Sequence, residues 1–187
     1  MKDEYAIVLD FLKNGYPSQP RAYPVAQVIG ETYLNILEVL PREDVILKSQ
    51  QRIYVGEGKR DEIKSVTGRI NSSKLTVTAE TELIFAVEKI VDANEKRFVD
   101  FFTNSGPVTL KMHQLELIPT IGKKHLWQIL EERKKKPFES FEDIKSRVSL
   151  LPNPKKAIIR RILEELGGDQ KWYVFTIPPR ERDDRRW

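Results

Sequence analysis

The chain has 187 residues, which is enough for one ordinary domain or two small ones, each with its own core. Its 40% hydrophobic and 32% charged residues are typical of a globular protein, no apolar run approaches the roughly 18 residues of a membrane helix, and the acidic start does not resemble a secretory signal. There is no cysteine, which excludes disulfides, thiolate metal sites and cysteine nucleophiles, and we expect a cytoplasmic protein.

The formal net charge of +4 is unevenly distributed along the chain. Residues 1–103 hold 14 Lys/Arg and 16 Asp/Glu, whereas residues 104–168 hold 13 Lys/Arg and 8 Asp/Glu, a net charge of +5. A basic segment attached to a near-neutral one indicates a polyanionic partner such as nucleic acid. A solvated lysine-rich surface would give the same count, so charge alone leaves both interpretations open.

The first 56 residues have the pattern of a small β-domain. Strands are predicted at 5–12, 45–48 and 52–55, and a longer β-prone stretch covers 23–39 with Gly30 inside it. A glycine within a strand pattern marks a bulge or a sharp bend. Four or five short strands, one of them bent, predict a small closed barrel of the OB or SH3 type.

Barrels of this kind often bind single-stranded nucleic acid with exposed aromatic side chains and a basic face. Four residues could form such a face here: Tyr23, Tyr33, Arg52 and Tyr54. Each of them could equally be a packing residue of a small barrel.

The hydrophobic period changes after residue 56. Ile63, Val66 and Ile70 are spaced three and four apart, which predicts a helix. A second helical pattern begins near Thr78, its expected N-cap, and continues through three phenylalanines to a stop at the sequence NSGP. We therefore expect residues 57–104 to form a helical connector.

Residues 105–168 contain an internal repeat with an offset of 33 residues. The sequence IPTIGKKHLWQILEE, which starts at Ile118, aligns with LPNPKKAIIRRILEE, which starts at Leu151. In both copies a short helix is predicted before a proline-containing turn, and a longer helix after it. Between the copies Ser140 is an N-cap candidate, with Asp143 three residues later as in a capping box.

The pattern Leu-x-x-Ile-Pro-x-Ile-Gly-Lys-Lys, from Leu115 to Lys124, resembles the helix-hairpin-helix motif, and the two copies resemble the tandem domain of that kind. Nearly the whole chain, through RDEI, LTVTA and LEERKKKPFESFEDI, resembles an archaeal family of unknown function that couples an OB-like barrel to such a module. The resemblance implies nucleic-acid binding, with RNA favoured over DNA, and supplies no reaction and no cofactor.

The first hairpin has the residues of a phosphate-binding turn. The first amides of a helix have no internal acceptor, and with the helix dipole they favour an anion. Gly122 would let a phosphate approach, Lys123 and Lys124 add charge, and Ile121 would point inward. Thr120 stands where the motif usually has glycine, and threonine does not adopt a positive φ cheaply.

The second hairpin departs further from the motif. Asn153 could replace glycine at a left-handed position, while Pro154 removes one amide donor and Lys155 stands in place of the second glycine. This hairpin is either structural or a source of side-chain cations, for which the candidates are Lys155, Lys156, Arg160 and Arg161.

Enzymatic chemistry has weaker support. In DNA glycosylases that carry this hairpin a lysine after the second glycine is the nucleophile, and Lys124 with Asp143 would be the matching pair. The larger helical domain of those enzymes has no counterpart here. The two histidines, His113 and His125, have no carboxylate cluster at metal-ligand spacing, so we expect capping or surface roles for them and no metal site.

The tail, residues 169–187, contains a strand-like stretch at 171–177 that could complete the barrel. The sequence therefore predicts an α+β multidomain chain: an OB-like barrel, a helical connector, an all-α tandem helix-hairpin-helix module and a tail. We expect it to bind nucleic acid without base specificity. A protein-interaction scaffold in an RNA or DNA processing complex is the alternative.

Overall fold

The computed structural model describes residues 2–17 and 23–178. The chain divides into two compact units, residues 1–86 with 165–187 and residues 87–164. The architecture is mixed α+β, with a curled five-stranded antiparallel half-barrel and, in the part of the chain that is described, five α-helices. None of these helices is both long and apolar enough to cross a membrane.

The half-barrel has the strand order β4-β1-β2-β3-β5. Its strands are β1 Tyr5–Leu12, β2 Val25–Gly30, β3 Ile36–Pro41, β4 Arg52–Tyr54 and β5 Ile63–Arg69. Their apolar side chains form one buried core that includes Val8, Val28, Val39, Ile53 and Ile63. Within the described residues β4 and β5 each pair with a single strand, so the sheet is open where a closed barrel was predicted.

The predictions for the first strands are partly confirmed. Residues 5–12 and 52–54 are strands, whereas the β-prone stretch 23–39 contains β2 and the start of β3, and residues 45–48 are not a strand.

The predicted helix at Ile63, Val66 and Ile70 is wrong, because residues 63–69 are the edge strand β5. Two register shifts occur where β5 pairs with β3, between Glu38 and Val39 and between Leu40 and Pro41. Such irregularities change which side chains face the core, so the strand loses the strict alternation that would have identified it.

The turn between β2 and β3 is built around a buried carboxylate. Asp3 is 4% exposed and accepts hydrogen bonds from the amides of Thr32 (2.9 Å) and Tyr33 (2.7 Å) and from Nδ2 of Asn35 (2.8 Å). A Cβ on Gly30 would overlap this carboxylate. The glycine therefore ends β2 at the position where the Asp3 side chain packs against its backbone.

Helix α1 spans Val77–Ala93 and begins one residue before the predicted cap. Thr76, and not Thr78, is the cap, because its Oγ1 accepts from the Ala79 amide at 3.1 Å. Gln27 in the sheet also accepts from the Thr76 amide at 2.9 Å and donates to the Lys74 carbonyl at 2.8 Å. The start of α1 is thus fixed to the half-barrel.

The tail belongs to the first unit and forms no strand in its described part, so the strand predicted at 171–177 is wrong. The carboxylate of Glu165, a residue only 1% exposed, accepts the amides of Val174, Phe175 and Thr176 at 2.9–3.0 Å. Arg69 donates to the carbonyls of Ile177 and Pro178. In a strand these amides would donate hydrogen bonds to a neighbouring strand. Here the Glu165 carboxylate accepts all three, so they need no partner in a sheet. The last residues of the tail lie outside the described residues.

The second unit is helical, with α2 at Glu95–Asn104, α3 at Lys123–Lys135, α4 at Phe141–Arg147 and α5 at Pro154–Leu166, which ends in the first unit. A short hairpin of β6 Pro107–Thr109 and β7 Met112–His113 and a 3-10 turn at Gln114–Leu117 precede α3. The predicted cap of α4 is confirmed, since Ser140 Oγ accepts from the Asp143 amide at 3.0 Å.

Arg147 on α4 closes the end of α3. Its guanidinium donates to the carbonyls of Glu132 (2.5 Å) and Lys136 (2.8 Å), and it stacks over the Phe138 ring at 4.5 Å. The last carbonyls of a helix have no internal donor and favour a cation. One side chain therefore ends α3 and holds the connection to α4.

We predict that Gly30→Ala destabilises the chain by about 1–3 kcal/mol, the range for overpacking, because the added methyl group overlaps the Asp3 carboxylate. Urea unfolding measures the effect. In an Asp3→Ala background, which removes the overlap, the same substitution should cost little. An equal cost in both backgrounds would contradict the proposed contact.

Candidate nucleic-acid interface

The first hairpin has a tight turn that is held in place by buried side chains. Ile118 and Ile121 are 1% and 6% exposed, and the Ile121 amide donates to the Ile118 carbonyl at 3.1 Å. Thr120 adopts a φ of +75°, the left-handed conformation that glycine usually supplies. A β-branched residue is sterically strained in this conformation. The packing of the two buried isoleucines must therefore stabilise the turn.

Gly122 is the N-cap of α3, and the start of this helix is open. The first helical hydrogen bond runs from the Leu126 amide to the Gly122 carbonyl at 2.9 Å. Within the described residues the amides of Lys123, Lys124 and His125 have no acceptor, because no side chain caps the helix. A Cβ on Gly122 would meet no atom within 4 Å, so the approach to these amides is unobstructed.

The two lysines of the hairpin differ in their surroundings. Lys123 forms an ion pair with Glu116 at 2.6 Å and lies 3.4 Å from the Lys111 carbonyl. Lys124 is exposed and has no hydrogen bond or ion pair within the described part of the chain. Lys124 is therefore the free cation beside the open amides, while Lys123 already neutralises a carboxylate.

Glu116 supports the hairpin together with His113; its role was missed from the sequence, whereas a capping role was expected for His113. The Leu115 amide donates to His113 Nδ1 at 3.1 Å, and the His113 amide donates to Glu116 Oε2 at 2.8 Å. The His-x-x-Glu spacing of a capping box was the available signal. The hydrogen bond from Lys123 lowers the pKa of Glu116, and burial, with a smaller effect of Arg133, lowers the pKa of His113.

In the second hairpin, residues of the turn itself leave fewer free amides at the start of α5. Leu150, and not Asn153, adopts the left-handed conformation, with a φ of +59°. Asn153 instead accepts from the Lys156 amide at 3.0 Å, and Pro154 has no amide to satisfy. The left-handed role suggested for Asn153 is therefore wrong, because its side chain is the cap of α5.

The cations predicted for the second hairpin are mostly engaged. Lys155 pairs with Asp92 at 2.6 Å and Glu88 at 3.3 Å, and Arg160 pairs with Glu164 at 2.9 Å. Lys156 has no side-chain partner within the described residues. Arg160 also lines, together with Thr120 and Gly122, the open depression above the first hairpin turn. Lys156 can therefore add positive charge to an anion site, whereas Arg160 would first have to leave Glu164, which lines the same depression.

The four residues suggested for the barrel face do not form one surface. Arg52 and Tyr54 on β4 belong to a cluster with Tyr5, whose ring lies 3.6 Å from the Arg52 guanidinium and 5.4 Å from the Tyr54 ring. Glu31 also holds Arg52 with two hydrogen bonds. Tyr33 follows β2, whereas Tyr23 precedes it and is 41% exposed, so these two tyrosines lie at opposite ends of that strand.

The residues considered for catalysis have other contacts. Lys124 is exposed, not desolvated, and Asp143 accepts from the Glu139 amide and pairs with Arg147, both at 3.1 Å. His113 is a cap, as expected, and a ring nitrogen of His125 lies 3.1 Å from the Thr120 carbonyl. The described residues contain no group of three or more histidines and carboxylates that could hold a metal ion.

Comparison with known proteins gives one consistent result. A family model described as "Protein of unknown function (DUF655)" matches residues 2–177. An uncharacterized protein of Methanocaldococcus jannaschii, MJ0038, is 42% identical over 176 residues, which are 93% of this chain and 80% of that protein. The crystal structure of Af1531 from Archaeoglobus fulgidus has a TM-score of 0.85 and 43% identity, and the match covers 94% of this chain and all of that one.

We predict that the hairpin loses stability as the pH falls from 7 to 5. His113 accepts a hydrogen bond only when neutral, and its pKa is lowered in the folded state, so the unfolded chain binds the proton more readily. Its contribution is present above the ordinary histidine pKa of about 6.5 and is lost below it.

His113→Asn keeps a capping acceptor and removes the titration. Urea unfolding at pH 7 and pH 5 should show a smaller loss of stability in this variant than in the parent chain. The same loss in both proteins would rule out His113 as the titrating cap.

Proposed function

The chain belongs to the DUF655 family, and we propose that it binds nucleic acid, RNA in preference to DNA, by holding backbone phosphates at its first hairpin without reading bases. In this proposal the half-barrel is an OB-like module and the second unit is a tandem helix-hairpin-helix module. The preference for RNA rests on the sequence resemblance, and the mode of binding rests on the hairpin geometry.

The observation that carries the proposal is the open start of α3. Among the five α-helices in the described residues, α3 alone has neither a side-chain cap nor an acidic residue in its first turn. Its free amides and helix dipole favour an anion, and the exposed Gly122 lets that anion come close. A solvated lysine-rich surface does not require an uncapped helix beside a left-handed threonine.

The surrounding charges suit a phosphate backbone better than a single small anion. Lys124 is exposed and belongs to the first turn of α3, and Arg160, which pairs with Glu164, lines the depression above the same turn. Cations at several points along a surface can contact successive phosphates, and they position a nucleic acid without specifying its sequence. The second hairpin contributes through the side chain of Lys156, and through Arg160 if a phosphate displaces Glu164, because its own helix start is capped.

A protein partner is the second candidate, and one observation favours it. Helix α1 exposes Val77, Ile84 and Phe85, which are 81%, 49% and 56% accessible and lie on one face at helical spacing. An exposed apolar strip of this kind is typical of interaction sites. The exposed residues of α1 are different from those of the hairpin, so one chain could use α1 for assembly and α3 for nucleic acid.

We predict that Lys124→Glu weakens binding to RNA equally for all sequences. The plot of log K against log[salt] should also become shallower, by about one unit of slope for each phosphate that the variant no longer neutralises. Fluorescence anisotropy at several salt concentrations measures both quantities. Lys145→Glu, the same charge change on α4, is the matched control and should have a smaller effect. Equal effects of the two variants would remove Lys124 from the interface.

We predict that Gly122→Ala weakens RNA binding by about tenfold, the cost of losing a hydrogen bond to a charged group, because its methyl group would stand between the phosphate and the amides. The stability of the fold should change by less than about 1 kcal/mol, since the methyl group meets open space.

Gly106→Ala is the control, because a Cβ there also meets nothing within 4 Å. RNA affinity is measured for both variants by anisotropy and stability by urea unfolding. Unchanged affinity in Gly122→Ala, with both proteins folded, would contradict binding at these amides.

A further inference from the structure

Helix α3 exposes a tryptophan one turn after its open start. Trp127 is 63% exposed, although tryptophan has a large apolar surface that proteins usually bury. Within the described residues its indole makes no hydrogen bond, and no other ring or cation is stacked on it. Most of this side chain is therefore free to contact an external group.

Trp127 lies on the same face of α3 as the two lysines of the first turn. Residues three and four apart are neighbours on a helix surface, and Trp127 follows Lys124 by three positions and Lys123 by four. Long side chains on a helix point back towards its N-terminus, so the indole covers the turn that precedes its own Cα. This is the first turn of α3, which carries the free amides. The tryptophan therefore lies beside the proposed phosphate site.

The neighbours of Trp127 on the exposed face of the helix are charged. One turn before it are the two lysines, and one turn after it is Glu131, which is exposed and pairs with Lys134 at 2.7 Å. A docking site for an apolar protein surface has several apolar side chains next to one another, as on α1. An aromatic ring next to cations is instead typical of a surface that binds a nucleic-acid strand, where the cations contact phosphates and the ring stacks on a base.

We propose that Trp127 stacks on an unpaired base of the nucleic acid whose phosphate is held at the start of α3. One turn of helix rises about 5.4 Å, and a single sugar separates the base of a nucleotide from its phosphate, so one nucleotide can contact both positions. The inference rests on the function proposed for the first hairpin and adds the class of its substrate, which is single-stranded RNA.

Stacking on Trp127 selects single strands because the bases of a duplex are paired and stacked on one another. In loops and single strands the bases are free to stack on aromatic side chains. Every base has a π-face, so such a contact adds affinity without a preference for sequence. The hairpin would then hold a duplex through phosphates alone, and a single strand through phosphates and a base.

The test compares a mixed-sequence RNA strand with an abasic strand of the same length, whose ribose-phosphate backbone carries no bases. Trp127→Ala should weaken binding of the base-bearing strand about tenfold, which is within the range for aromatic stacking on one base, and should leave binding of the abasic strand nearly unchanged. Trp127→Phe should keep most of the affinity. Fluorescence anisotropy measures all of these affinities. An equal loss on both strands, or no loss on either, would overturn the inference.

Leu150→Ala is the matched control, because Leu150 is an apolar side chain of the same unit that is 82% exposed and lies outside α3. It should change neither affinity, and a loss equal to that of Trp127→Ala would contradict stacking at one ring.

Tryptophan emission gives a second readout on the unmodified chain. The base-bearing strand should quench it and the abasic strand should not, and Trp127→Phe should remove the quenching. Quenching that persists in full in Trp127→Phe would overturn the assignment.

Lys124→Glu separates this inference from the function on which it rests. It should weaken binding of the abasic strand and of duplex RNA, because both retain their phosphates, whereas Trp127→Ala should affect neither. If the unmodified chain binds no RNA strand, the hairpin proposal fails and this inference fails with it. If Lys124→Glu weakens binding of both strands and Trp127→Ala of neither, the hairpin proposal stands and the role of Trp127 is removed.

Discussion

Every α-helix begins with amide groups that lack an intrahelical acceptor, and the two repeat copies of this chain treat that constraint in opposite ways. In the second copy proline removes one amide and Asn153 accepts another, so α5 is complete in itself. In the first copy Gly122 provides no side-chain acceptor, and the first turn of α3 contains lysines instead of acids. The positive end of α3 therefore remains available to an external anion, whereas that of α5 does not.

The turn before α3 is held in a conformation that its sequence would not adopt alone. Thr120 has a positive φ, and the buried side chains of Ile118 and Ile121 on either side keep it there. The His113 cap, the Glu116 carboxylate and Lys123 form a further support beneath the turn. These contacts place the amides before any ligand arrives, which reduces the ordering cost of binding.

The helices of the second unit were largely predictable, because their apolar period, proline stops and the Ser140 cap are local signals. Strand β5 was not, since two register shifts against β3 removed its alternation and left a spacing typical of a helix. The site was predicted only in part. The sequence placed Gly122 and Lys124 correctly at the start of a helix. It could not predict that Lys123 pairs with Glu116 or that Lys155 pairs with Asp92, because these ion pairs depend on tertiary contacts that no local pattern contains.

Nuclear magnetic resonance of the ¹⁵N-labelled chain during titration with mixed-sequence RNA tests the role of the first hairpin most directly. The amide resonances of Lys123, Lys124 and His125 should shift downfield as they donate to a phosphate, while the amide of Lys156, already bonded to Asn153, should change little. RNA binding that leaves the three α3 amides unperturbed, or perturbs the start of α5 equally, would contradict the assignment of phosphate binding to the first hairpin.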